Sequence, residues 1–351
     1  MKSNRGLIKR IAKNTALAAG ALLISKAVSG AYNKNRFHLN GKVVLITGGS
    51  RGLGLILARQ LAEEGARVVI CARSEESLQR ASVDLASRTT KFLAIPCDIT
   101  DEEQVRYMIR QIKEEMGPVD VLINNAGIIQ VGPIETMSKA DYESALGVHF
   151  RGPFNLISEV LPDMKKRRRG RIVNIVSIGG KVSFPHLLPY NTSKFALSGF
   201  SEGLSAELWR YNIRLTTVYP GLMITGSPEN IDVKGQHEKE YAWFKIMDSL
   251  PLLSMNADRA ARQIINAMKK GSKTITLSVP AKLAIAVHGI APGLTITLFG
   301  LVNLLLPDPA GTDDKKTQKG YESESLLTSS FLTKKTDEAA VENLEQYAVE
   351  Y

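Results

Sequence analysis

Short runs of apolar, β-branched residues alternate along the middle of the chain with segments whose apolar residues recur at helical spacing. The runs that predict strands fall at residues 43–46, 67–71, 91–95, 119–123, 171–176 and 213–218. Helical periodicity follows at 53–64 and 75–87, and helical segments also separate the later runs. Short apolar strands that alternate with helices are typical of a parallel sheet covered on both faces. The pattern therefore predicts one α/β domain with ligands bound at the carboxyl ends of its strands.

The hydrophobic pattern changes at both ends, which predicts a core domain at residues 40–275 with extensions on either side. Residues 276–307 are apolar, but Pro292 and Gly293 interrupt them, so two short helices are expected instead of one span. This segment either caps the core or dips into lipid. The polar tail, residues 308–351, is expected to be mostly disordered, with a short helix near 337–347.

The N-terminal arm, residues 1–39, joins a basic flank to an apolar stretch. Residues 1–42 hold nine Lys or Arg and no Asp or Glu, while the uninterrupted apolar run covers only residues 16–24. That run is about half of the roughly 20 residues that span a bilayer. A membrane-surface helix, a cleaved signal peptide and an ordinary soluble helix are the three interpretations. We favour the membrane-surface helix.

Charge and cysteine content exclude several classes of protein. The net charge of +10 is concentrated partly in the arm, which fits anionic lipid better than nucleic acid, for which no recognition motif is present. The two cysteines, Cys71 and Cys97, cannot form a disulfide framework, and no Cys/His cluster predicts a metal site. A reducing compartment and a metal-free site are therefore expected.

A glycine-rich turn follows the first predicted strand and opens the first predicted helix. It reads Thr47-Gly48-Gly49-Ser50-Arg51-Gly52-Leu53-Gly54. Glycines let the backbone approach a pyrophosphate, whose charge is favoured by the N-terminus of the following helix. The strand before the turn and the helix after it make this a predicted dinucleotide site.

A second constellation combines a phenol, an ammonium and a hydroxyl. Tyr190 and Lys194 stand four residues apart on one predicted helix, and Ser177 ends the fifth predicted strand. The free phenol has a pKa of about 10, which a neighbouring ammonium should lower. The pair predicts a general acid/base, and the hydroxyl can bind a substrate oxygen on which charge develops.

These motifs resemble the short-chain dehydrogenase/reductase family, in the subgroup with Gly-x-x-x-Gly-x-Gly and Tyr-x-x-x-Lys. The resemblance covers about residues 40–275 and implies a doubly wound parallel sheet (Rossmann fold) that transfers hydride between a nicotinamide cofactor and a carbonyl or alcohol. It implies that Ser177 orients the substrate, that Tyr190 exchanges the proton and that Lys194 also holds the nicotinamide ribose. Further cofactor contacts are implied for Gly48, Ser50, Gly52, Leu53, Gly54, Asp98, Asn125, Ala126, Gly127, Pro220, Gly221 and Thr225. A homodimer or homotetramer is expected by the same analogy.

Cofactor choice follows from the end of the second strand. An acid there commonly binds the ribose 2′-hydroxyl of NAD, but this chain has Cys71-Ala72-Arg73. Arg51 in the turn and Arg73 could instead hold a 2′-phosphate. NADP(H) is therefore preferred, with NAD(H) as the alternative. A cytosolic nucleotide pool also argues against export, so we place the protein on the cytoplasmic side of a membrane.

One position departs from the family pattern. The helix after the fourth strand usually carries an asparagine that supports a proton path to the lysine, and the matching residue here is His149. Imidazole can donate and accept protons, so it either substitutes in the relay or impairs it. The alternative function is therefore a catalytically impaired, nucleotide-binding regulatory protein.

The substrate is expected to be lipophilic. The family varies its substrate lid in the segment that corresponds to about residues 224–256, which here mixes charges with aromatic and aliphatic side chains. With the apolar ends, this favours a retinoid, steroid or long-chain carbonyl or alcohol. A lid whose aromatic residues merely pack together is the competing interpretation.

Overall fold

The computed structural model describes residues 37–309, 315–330 and 333–346. A parallel sheet lies at its centre, with strands β1 (Val43–Thr47), β2 (Arg67–Ala72), β3 (Phe92–Pro96), β4 (Val121–Asn124), β5 (Gly170–Ile175), β6 (Ile213–Tyr219) and β7 (Thr274–Thr276). Their order is β7-β6-β5-β4-β1-β2-β3. The six predicted strands are confirmed, and β7 adds an edge that the sequence pattern did not indicate. The order reverses between β1 and β4, which is where such sheets bind ligands.

Helices cover both faces of the sheet, and polar N-caps begin several of them. They are α1 (Gly52–Glu63), α2 (Glu75–Ala86), α3 (Glu102–Glu115), α4 (Lys139–Leu146), α5 (Gly152–Arg167), α6 (Leu188–Leu208), α7 (His237–Ser249), α8 (Ala257–Lys270), α9 (Val279–Ile290), α10 (Pro292–Asn303) and α11 (Lys334–Glu342). Ser74 and Asp101 accept hydrogen bonds from the first-turn amides of α2 and α3. A π-helical turn, Gly147–Arg151, joins α4 to α5.

The two faces of β1 show why the helices form two layers. Val44 and Ile46 pack into one core with α1, α2 and α8, whereas Val43 and Leu45 pack into the other with α3, α5 and α6. Alternate residues of a strand point to opposite faces, so a strand that is apolar throughout requires helices on both. The predicted doubly wound α/β fold is confirmed.

Short strands and turns surround the core. Met223–Ile224 pairs with Met255–Asn256, while Gln130–Val131, Asp232–Val233 and Gln318–Lys319 form a three-stranded sheet. Single 3₁₀ turns lie at Ile134–Thr136, Ile178–Gly180, Trp209–Tyr211, Ser227–Asn230 and Gly320–Ser323.

The described part of the C-terminal tail is ordered, so the expectation of a mostly disordered tail is wrong for residues 315–330 and 333–346. Its polar groups find partners on the core instead of solvent. Lys245 of α7 is 2.5 Å from Glu324 and 2.8 Å from Asp337, and Ser249 is hydrogen-bonded to Thr336. The expected short helix exists as α11, although it begins earlier than predicted.

The apolar segment after β7 forms two helices, α9 and α10, as predicted from its Pro-Gly pair. Within the described ranges, no helix is both long and apolar enough to cross a bilayer. The predicted membrane-surface helix of the N-terminal arm lies outside the described residues, which include only the last three positions of the arm.

Candidate active site

The glycine-rich turn connects β1 to α1, and two of its glycines, Gly48 and Gly54, are packed closely against neighbouring backbone. A Cβ atom on Gly54 would lie 2.0 Å from the carbonyl oxygen of Gly48, and one on Gly48, where φ is +61°, would lie 2.9 Å from the Cα of Ala126. Only glycine fits these positions. Of the turn residues predicted to contact the cofactor, Gly48, Ser50, Arg51 and Leu53 line the cavity above the strand ends, whereas Gly52 and Gly54 do not.

The end of β4 is tied to this turn. The backbone N–H groups of Asn125 and Ala126 both donate to Thr47 Oγ1 at 3.0 Å. The Asn125 side chain also donates to the carbonyl oxygens of Thr47 and Gly48, at 3.0 and 3.2 Å. These hydrogen bonds hold the carboxyl ends of β1 and β4, which flank the switch point, at a fixed distance from each other.

Ser177, Tyr190 and Lys194 come together at the carboxyl end of β5. The Lys194 ammonium is buried, donates to the backbone carbonyl of Ile175 at 3.0 Å and lies 5.6 Å from the centre of the Tyr190 ring. Ser177 is also buried, and its Oγ accepts a hydrogen bond from the N–H of Gly179. All three residues line one cavity together with Gly48, Leu53 and Gly127.

Burial changes the acidity of both titratable groups. It raises the pKa of Tyr190 to about 12, and a hydrogen bond to Ser177 opposes this rise only in part. Burial also lowers the pKa of Lys194 to about 7. The expected lowering of the Tyr190 pKa by its lysine is therefore wrong, because desolvation of the phenol raises the pKa instead.

Both ring nitrogens of His149 form hydrogen bonds, one to the backbone of Ile128 and one to the side chain of Ser193 on α6. Burial, with a smaller contribution from the Lys194 charge, keeps its pKa well below the usual value, so the ring is neutral. Its Nε2 accepts from the N–H of Ile128 at 3.1 Å, which places the ring proton on Nδ1. That N–H donates to Ser193 Oγ at 2.7 Å, and Ser193 donates to the carbonyl of Tyr190 at 2.8 Å. His149 therefore braces the start of α6.

Three of the predicted cofactor contacts, Ser50, Arg73 and Asp98, are polar and line the cavity. Asp98 accepts hydrogen bonds from the N–H and Oγ1 of Thr100, and Arg73 lies exposed at the rim. Ser50 accepts from Ser77 at 3.2 Å. That these residues hold the cofactor stays a prediction.

Arg51 has partners that sequence reasoning missed. Its Nη1 donates to Asn230 at 2.8 Å, and its Nε lies 3.3 Å from the Glu345 carboxylate. Both partners are far from Arg51 in the chain, and neither belongs to a periodic or spaced pattern. No sequence signal pointed to them.

Three further predicted cofactor contacts, Pro220, Gly221 and Thr225, follow β6. The carbonyl of Pro220 accepts from Ile178 at 2.7 Å, a Cβ on Gly221 would lie 2.6 Å from Ser278 Oγ, and the carbonyl of Thr225 accepts from Asn343 at 3.3 Å. All three predicted residues line the cavity.

The cavity has a volume of about 1100 Å³ and its lining is mostly apolar beyond the catalytic groups. The apolar part of its lining includes Phe184, Trp243, Phe244, Met247, Phe299, Val302 and Leu306, which come from the predicted lid, from α10 and from the segments beside them. Among the described residues, no group of His, Cys, Asp or Glu is arranged to hold a metal ion. The cradle of glycine backbone and the polar end fit a dinucleotide, and the apolar end is left for a substrate.

His186 lies buried beneath the segment that corresponds to the predicted substrate lid. Its Nδ1 is 2.9 Å from both carboxylate oxygens of Glu240. Glu240 also accepts from the indole N–H of Trp243 at 2.8 Å. This buried set connects α7 to the segment before α6 and fixes the orientation of Trp243 in the cavity wall.

Comparison with known proteins gives one consistent result. The model of the short chain dehydrogenase family matches residues 42–234. The fatty acyl-CoA reductase of Acinetobacter baylyi is 33% identical over 78% of this chain and 88% of its own length. Dehydrogenase/reductase SDR family member 7B of Bos taurus is 33% identical over 75% of this chain and 82% of its own length.

Solved structures agree with these relatives. A short-chain dehydrogenase of Streptomyces avermitilis superposes with a TM-score of 0.65 at 28% identity, over 75% of this chain and 97% of that one. Gluconate 5-dehydrogenase of Burkholderia cenocepacia, solved with NADP and tartrate, gives a TM-score of 0.61 at 27% identity, over 71% and 98%.

Proposed function

This chain belongs to the short-chain dehydrogenase family, and from that premise we propose that it transfers hydride reversibly between NADP(H) and a lipophilic carbonyl or alcohol. Oxidoreductase activity on carbonyl or alcohol groups follows from the family. The convergence of Ser177, Tyr190 and Lys194 beside the glycine cradle is the observation that carries the proposal.

The residues present fit a nicotinamide dinucleotide. The backbone of Gly48 lines the cavity and would face the pyrophosphate, and Arg51 with Arg73 would face a 2′-phosphate. The neighbouring structure of gluconate 5-dehydrogenase contains NADP, which supports the same cofactor here. When bound, the reduced nicotinamide supplies the hydride for the substrate carbon.

Each catalytic side chain then has a defined task in reduction. Ser177 donates a hydrogen bond to the substrate oxygen, which gains negative charge as the carbon is reduced. Tyr190 gives its phenolic proton to that oxygen, and the alcohol results. Lys194 stabilises the phenolate that remains and can restore its proton. His149 acts as a positioning residue because both of its nitrogens are already bonded.

We expect carbonyl reduction to slow as the pH rises through about 7. Burial sets the pKa of Lys194 to about 7, so its ammonium is present below that pH and is lost above it. Tyr190, with a pKa of about 12, keeps its proton throughout, so the loss is attributable to lysine. The measurement is kcat/KM for reduction as a function of pH.

Lys194→Arg is the control for this pH profile. Arginine stays charged at every pH used, so the variant should lose the decline near neutrality whatever its absolute rate. A wild-type rate that stays constant between about pH 6 and pH 9 would contradict the assignment.

A lipophilic substrate is supported by the apolar end of the cavity and by the surface around it. Phe299 and Val302 of α10 line the cavity, while the same helix exposes Ile296 and Leu301 to solvent, at 65% and 58% of their surface. An apolar surface continuous with an apolar cavity provides a path for a hydrophobic molecule. The fatty acyl-CoA reductase among the relatives is named for a fatty acyl-CoA substrate, which supports a lipophilic substrate here.

The apolar helix pair, α9 and α10, is also the surface proposed to meet a membrane. The pair and the turn after it expose many large apolar side chains: Val279, Leu283, Val287, Ile290, Leu294, Ile296, Leu298, Leu301, Val302, Leu304 and Leu305. No Asp, Glu, Lys or Arg occurs from residue 283 to 307. Patches of this kind mark lipid or protein contacts, and exposure on several helix faces favours lipid. The N-terminal arm would add a second contact.

We expect the double variant Ile290→Glu, Leu305→Glu to bind anionic phospholipid vesicles several-fold more weakly than the wild type. The two side chains are 87% and 86% exposed, so the glutamates disturb no core but oppose insertion into lipid. Vesicle co-sedimentation of the full chain measures the effect, alongside turnover of a short, water-soluble aldehyde, which should be unchanged.

Leu252→Glu is the matched control, since Leu252 is 90% exposed but lies outside the helix pair. Deletion of residues 1–36 in each background separates the contribution of the arm. If the double variant and the wild type bind vesicles equally when both lack residues 1–36, membrane binding by the helix pair is contradicted.

Assembly into a homodimer or homotetramer completes the proposal. Helices α5 and α6 expose Phe154 and Phe195 at 47% and 41%, which supports burial against a second copy. Light scattering of the full chain measures the state.

The function is tested by NADPH oxidation with a panel of retinal, ketosteroids, long-chain acyl-CoA and long-chain aldehydes. Turnover that depends on Tyr190 supports the enzyme. Tight NADPH binding without turnover on any of them would favour the nucleotide-binding, catalytically impaired alternative.

A further inference from the structure

The C-terminal segment 333–346, here called the strap, crosses the N-terminal end of α1 beside the cofactor cavity. The carbonyl of Asn343 accepts from the N–H of Gly52 at 2.9 Å. Glu345 follows two residues later, is 5% exposed and lines the cavity. The strap therefore brings a carboxylate to the turn that forms the proposed phosphate site.

Glu345 is held by groups on two other elements. Its Oε2 is 3.3 Å from Arg51 Nε and accepts from Asn230 Nδ2 at 2.7 Å. A Cβ atom on Gly52 would lie 2.3 Å from its other oxygen, which shows how closely the carboxylate approaches the turn. Burial raises the pKa of Glu345 to about 7, and Arg51 and Asn230 oppose the rise. The Glu345 carboxyl is therefore partly ionised near neutral pH and carries its full negative charge beside Arg51 at higher pH.

The strap does not depend on this side chain for its position. Arg80 donates to the carbonyl of Gln346 at 2.7 Å, and Arg59 donates to that of Glu342 at 3.0 Å. Asp337 is paired with the buried Lys245 at 2.8 Å. Replacing the Glu345 carboxylate should therefore change the charge at the cavity and leave the backbone in place.

Arg51 is one of two cations proposed to face a 2′-phosphate, and Glu345 competes for it. A guanidinium already paired with a carboxylate offers less attraction to phosphate, and the carboxylate repels phosphate directly. NAD(H) lacks the 2′-phosphate, so the same charge affects it far less. The competition acts on the difference between the two cofactors.

We propose that Glu345 is a cofactor-specificity residue, which limits the preference for NADP(H) over NAD(H) by holding Arg51 in an ion pair. The inference rests on the proposed NADP(H)-dependent function. It assigns to the C-terminal strap a role in the cofactor site that neither the glycine turn nor the β2 end supplies.

The test is a fluorescence titration of the full chain with NADPH and with NADH. Glu345→Gln removes the charge and keeps the hydrogen-bonding shape, so we expect the Kd for NADPH to fall about tenfold while that for NADH changes less than about twofold. Glu342→Gln is the matched control. It lies on the same strap, its side chain is exposed, and it should alter neither Kd.

Unequal tightening supports the proposal, whereas equal shifts for both cofactors, no shift, or weaker NADPH binding overturns it. Glu345→Ala is the second variant, for use if thermal melting shows Glu345→Gln to be misfolded; it should show the same selectivity. Cofactor binding is measured without turnover, so the two proposals can fail separately. If the Kd values change as expected but no substrate is reduced, the enzyme proposal is contradicted and the role of Glu345 is supported. If substrates are reduced normally but the ratio of the two Kd values does not change, the role of Glu345 is contradicted and the enzyme proposal is supported.

Discussion

Replacing Tyr190 with phenylalanine should lower kcat for carbonyl reduction by about 10³-fold and leave the Kd for NADPH within about twofold of wild type. The phenylalanine ring fills the same half-buried position as the tyrosine ring and keeps the contact with His149, whose ring centre lies 5.4 Å from that of Tyr190. Only the hydroxyl that would protonate the substrate oxygen is lost. Steady-state NADPH oxidation and a fluorescence titration give the two quantities.

Tyr107→Phe is the matched control for this variant. Tyr107 is 63% exposed on α3, away from the cavity, so the same chemical change should affect neither quantity. If the Tyr190 variant kept more than about a tenth of the wild-type rate, proton donation by this phenol would be refuted. A loss of NADPH affinity as large as the loss of rate would point instead to a damaged cofactor site.

Replacing Gly54 with alanine should lower kcat/KM for NADPH by about 10²-fold and the free energy of unfolding by about 1–3 kcal/mol. The new Cβ would lie 2.0 Å from the Gly48 carbonyl oxygen and 2.6 Å from Asn125 Nδ2. The first of these atoms is backbone, so the turn itself must move. Because the turn and the bonds of Asn125 are proposed to place the cofactor, the displacement should weaken binding and misplace the reacting carbon together.

Gly289→Ala is the comparison for the glycine substitution. Gly289 lies within α9, and a methyl group added to it would have no neighbour within 4 Å, so alanine should stabilise the protein by about 0.5–1 kcal/mol and leave kcat/KM unchanged. Urea denaturation measures both variants. A Gly54→Ala protein with wild-type stability and kinetics would show that the turn relaxes freely, contrary to its tight packing against Gly48 and Asn125.

Local patterns were sufficient to predict most of the sheet. The apolar runs at β1 and β2 are buried on both faces, so their sequence is apolar throughout, and the glycine turn and the polar caps mark where helices begin. The edge strand β7 escaped prediction because Thr274–Thr276 is short and partly exposed, which leaves no long apolar run to detect.

The residues of the candidate site were easier to predict from the sequence than the burial and hydrogen bonding of their side chains. Spacing alone placed Tyr190 and Lys194 on one helix face, but the direction of the tyrosine pKa shift depends on how much water surrounds the phenol. The role of His149 likewise depends on the N–H of Ile128 and the hydroxyl of Ser193, whose positions follow from packing.

By itself, the sequence determined the α/β architecture, the dinucleotide turn and the hydroxyl, phenol and ammonium at the strand ends, because each is encoded by neighbours along the chain. Only the tertiary structure decided that the described part of the polar tail is ordered and that Glu345 meets Arg51. Residues that are so far apart in sequence and form an ion pair leave no periodic pattern or fixed spacing along the chain. They depend on desolvation and on the three-dimensional path of the backbone, which local patterns do not specify.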